Sequence, residues 1–102
     1  VKVFSIFDSK AEIFWTPRFY LNAGVALRDF ADAVTATKGD NALAQHPEDY
    51  TLFEIGNWDE NGGDWIGYDA KIALGVGIEY VNREKAVLAA VPDSVSKVQG
   101  GE

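Results

Sequence analysis

Ala23, Ala26, Leu27, Phe30, Ala31 and Val34 recur at i, i+3, i+4, i+7, i+8 and i+11. This spacing returns to one side of a helix with 3.6 residues per turn, so the six side chains form a single apolar stripe that must pack on another element. Asn22 can accept a hydrogen bond from the first free amides as an N-cap. Gly39 suits the helix end, with Lys38 near the negative end of the dipole. The spacing therefore predicts one principal amphipathic helix over about 23–37.

The partner for that stripe has to come from strands. "VKVFSIFD" at 1–8 is short, β-branched and aromatic on both alternating faces, which predicts a strand in the middle of a sheet. Asp8 and Ser9 then offer turn chemistry, and "EIFW" can return as a second strand before Pro17 removes a backbone donor. "YTLFEIGNW" and "WIGY", joined by "DENGGD", predict an antiparallel hairpin over 50–68, because Asn and Gly accept positive φ at little cost. "GDNALAQHPEDY" is a connector with room for one helical turn. "KIALGVGIEYV" is open between a strand with a glycine kink and a helix. The expectation is an α+β fold: a small antiparallel sheet with the 23–37 helix packed across one face through Ala26, Leu27, Phe30 and Val34. One domain is expected over 1–90, with "VPDSVSKVQGGE" in a polar, flexible tail at 91–102.

The chain of 102 residues is 47% hydrophobic and contains three Trp, four Tyr and six Phe, enough to build a core without staples. With no cysteine, disulfides, thiolate metal sites and cysteine nucleophiles are excluded. No apolar run is long enough to span a bilayer, and the N-terminal apolar stretch is broken at Asp8, so no membrane or export role is expected. The net charge of −7 is unevenly spread. Residues 1–38 carry five cations and four anions, whereas 39–102 carry four cations and twelve anions, a balance of −8. An anionic ligand would meet least repulsion in the first third.

His46 stands beside Glu48 and Asp49, with Glu54 further on. One histidine with loop carboxylates matches no established ligand spacing, so these residues are read as turn formers whose side chains cap backbone amides, and no metal is expected. "GVG" and "NGGDW" lack the rest of a dinucleotide or phosphate loop. No serine lies in a nucleophile-elbow pattern; a non-enzymatic protein without a cofactor is expected. The segment "KAEIFWTPRFYLN" interleaves Lys10, Trp15, Arg18 and Phe19, with Arg28 following on the polar side of the helix. Rings among cations suit a single-stranded nucleic-acid platform, where bases stack and Lys or Arg follows phosphates. The same composition also suits a core corner or a protein-binding patch.

"VFSIFDSKAE", an aromatic-Pro segment, "AGVALRDFADAV" and "HPEDYTLFEIGNWDENGG", in this order over residues 2–63, resemble the small non-structural protein of the gokushoviruses, microvirus phages with single-stranded circular DNA. The resemblance implies a phage protein of the bacterial host cytoplasm, absent from the capsid, that acts in single-stranded DNA synthesis. It carries no catalytic residue onto this chain. Two readings follow. In one, Lys10, Arg18 and Arg28 contact phosphates while Trp15 and Phe19 stack bases. In the other, an acidic module binds the phage replication initiator or a host replication protein, or mimics DNA. A homodimer is compatible with either, since exposed hairpin edges invite pairing.

Overall fold

The computed structural model describes residues 1–37, 39 and 41–90. Its centre is β1 (Lys2–Asp8), flanked by β4 (Tyr50–Asp59) on one side and by β2 (Ile13–Phe14) and β3 (Arg18–Tyr20) on the other. All pairings are antiparallel, and β5 (Asp64–Val76) closes the far edge against β4. The fold is α+β, as the pattern predicts, with the first strand central. The short strand at 18–20 was not legible. β2 and β3 run along the same edge of β1, interrupted around Pro17, and Ser5 Oγ fills the gap by donating to the Trp15 carbonyl at 2.6 Å.

The two hairpin turns share one construction. Asp8 Oδ1 accepts from the amides of Lys10 and Ala11, and Asp59 Oδ1 from those of Asn61 and Gly62. Four residues on, Glu12 and Gly63 each donate their amide to the Asp carbonyl at 2.8 Å. Both sit at positive φ, 60° for Glu12 and 70° for Gly63. Gly63 adopts that conformation freely, whereas Glu12 pays steric strain for it.

α1 (Ala23–Thr35) begins as predicted, with Asn22 Oδ1 accepting from the Val25 amide at 3.1 Å. It ends earlier than Gly39: Ala36 is already extended. The cause is Asn41, whose Nδ2 donates to the Ala33 carbonyl at 2.7 Å while its Oδ1 accepts from the Leu43 amide. One side chain thus closes α1 and opens α2 (Ala42–Gln45). Lys38 lies outside the described residues, as does the tail at 91–102.

Phe4, Ala26, Phe30, Val34, Leu43, Tyr50 and Leu52 form the core between the sheet and α1. The stripe's Ala26, Phe30 and Val34 are buried, and Leu27 packs against them half-buried. The ambiguous segment resolves into both alternatives: β5 runs on to Val76, and α3 (Gly77–Ala90) starts at the next residue. Gly77 permits this junction because a Cβ there would lie 2.6 Å from the Pro47 carbonyl oxygen and 3.0 Å from Val34 Cγ1. α3 then packs beside α1, with Tyr80 edge-on to Phe30 at 5.8 Å. A second helix therefore shares the face predicted for one. No helix among the described residues is long and apolar enough to cross a membrane.

Candidate nucleic-acid interface

Directly opposed residues of an antiparallel sheet project to the same face, so the pairing register sorts side chains into two sides. Phe4, Glu54 and Ile72 oppose one another, as do Lys2 and Asn57, and Asn57 and Ile66; these lie on the helix side with the core. Val3 opposes Phe19 and Gly56, Gly56 opposes Gly67, and Trp58 opposes Trp65; these lie on the other side. Ser5 opposes Phe53, and Phe7 opposes Phe14, on that same side. Among the described residues no helix packs there.

The open side carries two aromatic groups. Phe7, Phe14 and Phe53 meet with ring centroids 4.8 to 6.4 Å apart, and Lys71 Nζ stands 5.8 Å from the Phe14 centroid. Phe19 stacks on Trp58 at 5.9 Å with the planes only 15° apart. Trp65, beside Trp58, lays its ring across Gly56 and Gly67. These glycines leave room for the ring, and the ring covers backbone that would otherwise be bare. Val3, between Phe19 and Gly56, is fully buried although it stands outside the helix-side core. Phe14, Phe19 and Trp65 remain 43%, 54% and 50% exposed, so large apolar faces stay open to a ligand.

Strand alternation also separates the charges. Glu54, Asp59 and Asp64 fall on the helix side with their cross-strand partners. Glu54 is buried, accepts a 2.5 Å hydrogen bond from Tyr68 Oη and pairs with Lys2 Nζ at 3.4 Å. That carboxylate raises the Lys2 pKa, and its hydrogen bond to Tyr68 raises the phenol's. On the open side of β5 the charges are Asp69 and Lys71, of opposite sign.

The five residues singled out in the sequence do not share one surface. Phe19 lies on the open side. Arg18 precedes it and opposes Phe4, so it projects to the helix side, where it lines a cavity of about 220 Å³ with Tyr20 and Asp29. Burial, and then Asp29, raise the Tyr20 pKa. Trp15 is half-buried against the core, edge-on to Tyr50 at 5.2 Å. Lys10 is exposed in the β1–β2 turn, and Arg28 is exposed on α1. Sequence reading missed Trp58, Trp65, Phe53 and Lys71. The signal available was the placement of Trp58 and Trp65 on either side of the turn, which pairs them once the hairpin closes.

His46, Glu48 and Asp49 lie on one turn with ligand atoms within 4.8 Å of one another, the one such group among the described residues. The expected side-chain cap on the 3-10 turn Pro47–Asp49 is not made. Backbone bonds hold the connector instead, His46 N to the Ala42 carbonyl and Asp49 N to the His46 carbonyl. Tyr50 opens β4 with its ring buried, as expected.

The fold and this face together define a small α+β protein with helices on one side of its sheet and an aromatic, weakly charged surface on the other. The model of the family described as Phage ORF5 protein matches residues 1–80, and the chain belongs to that family of phage proteins. No curated protein and no solved structure matches it.

Proposed function

We propose that this phage accessory protein binds single-stranded DNA non-enzymatically through the open sheet face during phage genome replication in the host cytoplasm. The observation that carries the reading is the exposed set Phe14, Phe19 and Trp65 on a face from which Glu54, Asp59 and Asp64 are turned away. Bases stack on such rings without sequence preference, and Lys71 is placed to meet a phosphate. The resemblance of residues 2–63 to gokushovirus non-structural proteins favours the same role. Binding is tested by fluorescence anisotropy of a labelled oligonucleotide at low and moderate salt, with a duplex as control. The expected result is preference for the single strand, weakening as salt rises. Trp65→Ala should lower affinity by about 1–3 kcal/mol while the far-ultraviolet circular dichroism is unchanged. Absence of binding at low salt, or full binding by folded Trp65→Ala and Phe19→Ala proteins, would overturn the reading.

A second reading is favoured by the β4–β5 tip, where Asp59, Glu60 and Asp64 gather at one end of the hairpin. Such a tip suits a basic patch on the phage replication initiator or a host replication protein, with the aromatic face as the apolar part of the contact. In that case the oligonucleotide is ignored and binding to the partner is lost on Asp64→Lys while the far-ultraviolet circular dichroism is unchanged.

A further inference from the structure

β5 is thirteen residues long and forms the outer edge of the sheet, with no strand beyond it among the described residues. A long edge is a template for another strand unless something blocks it, and Lys or a bulge is the usual block. This edge has both, Lys71 and a register jump from Gly67 to Ile72 opposite Glu54–Gly56. The residues around the jump nevertheless form a self-complementary series. Centred on Ala70, the order is Ile66, Gly67, Tyr68, Asp69, Ala70, Lys71, Ile72, Ala73, Leu74. Folded back antiparallel on a copy of itself, Asp69 meets Lys71, Tyr68 meets Ile72, Gly67 meets Ala73 and Ile66 meets Leu74. Every pair is matched in charge or in apolar character.

Pleat alternation adds to the match. Ile66 and Ile72 oppose helix-side residues of β4, and Tyr68 reaches Glu54 on that side, while Lys71 stands over Phe14 on the open side. The larger apolar pairs, Tyr68–Ile72 and Ile66–Leu74, would therefore lie on the helix side, and the two Asp69–Lys71 pairs, with the small Gly67–Ala73 pairs, on the open side. Ile66 and Ile72 are 52% and 48% exposed, so their apolar surface is available for burial. The geometry points to a two-fold homodimer in which β5 pairs with β5 of a second copy about Ala70. Lys71 is then an attachment point for the copy rather than a block against it. Because opposed residues share a face, the pairing places both aromatic surfaces on one side of a continuous sheet and all helices on the other. The dimer stands on the edge itself and does not depend on DNA binding.

Sedimentation velocity over a micromolar concentration series tests this with a charge exchange. Asp69→Lys places like charges opposite Lys71 of the second copy twice per dimer, and Lys71→Asp does so with Asp69. Either single change should weaken dimerisation by about tenfold or more. The double variant D69K/K71D restores opposite charges and should return dimerisation to near the unmodified level. Circular dichroism confirms that each exposed substitution leaves the fold intact, and Lys71→Asp serves if Asp69→Lys does not fold. An unmodified protein that stays monomeric throughout the series would overturn the proposal. So would single variants that dimerise undiminished, or a double variant as weak as either single one.

Discussion

Replacing Gly56 by alanine adds one methyl group to β4 on the open face, and the surroundings give it nowhere to go. A Cβ at that position meets the backbone carbonyl oxygen of Ile66 at closer than contact distance and the Trp65 ring at 2.8 and 3.0 Å. The ring can tilt, but the Ile66 carbonyl cannot retreat without parting β4 from β5. Overpacking of this kind costs about 1–3 kcal/mol, and a backbone neighbour places the effect in the upper half of that range. Restricting the unfolded chain returns about 0.4–1 kcal/mol, which leaves a net loss near 2 kcal/mol. For a domain of this size the midpoint should fall by about 8–16 °C. Gly67 is the control. A Cβ there lies 3.4 to 3.6 Å from the same ring, ordinary contact distance, so Gly67→Ala should be neutral or slightly stabilising. Urea and thermal unfolding followed by circular dichroism supply the stabilities, and tryptophan fluorescence reports whether Trp65 has left its seat. If Gly56→Ala unfolds within about 0.5 kcal/mol of the parent, or Gly67→Ala loses as much, Trp65 is not seated on a glycine floor.

Two further outcomes follow from the geometry. The folded chain holds the protons of Lys2 and Tyr68 more tightly than their ordinary values of 10.5 and 10.0, so their contribution is complete below those values and is lost as pH rises through the higher folded ones. Urea midpoints should be level from about pH 7 to 9 and fall above about pH 10, more gently in a Lys2→Met/Tyr68→Phe variant; an unchanged alkaline slope in that variant would remove the Glu54 cluster as a cause. Glu12 occupies the position that Gly63 fills in the other hairpin turn, so Glu12→Gly relieves strain that exceeds glycine's entropic cost and should stabilise by about 0.5–1 kcal/mol. Thermal melts should show the midpoint rising by about 2–8 °C, and a fall would mean that the Glu12 side chain contributes more than its backbone strain costs.

Elements whose signals are local were legible in the chain. The 3.6-residue recurrence from Ala23 to Val34, the Asn22 cap, the Asn-Gly-Gly turn and the apolar run of 1–8 each name an element, because periodicity and turn chemistry act over a few neighbours. The end of α1 was misread because its determinant, Asn41, reaches back eight residues to Ala33. The switch from β5 to α3 was illegible because it depends on how closely Gly77 approaches Pro47 and Val34. The candidate site shows the same division. The sequence supplied its rings and its acidic surplus, but adjacency in the chain set Arg18 beside Phe19, and in a strand adjacent residues point to opposite faces. Only the register that opposes Trp58 to Trp65 and Val3 to Phe19 and Gly56 decides which rings share a surface. Pairing energies are collected between residues distant in sequence, so the side on which a strand's rings and charges fall is a property of the assembled sheet.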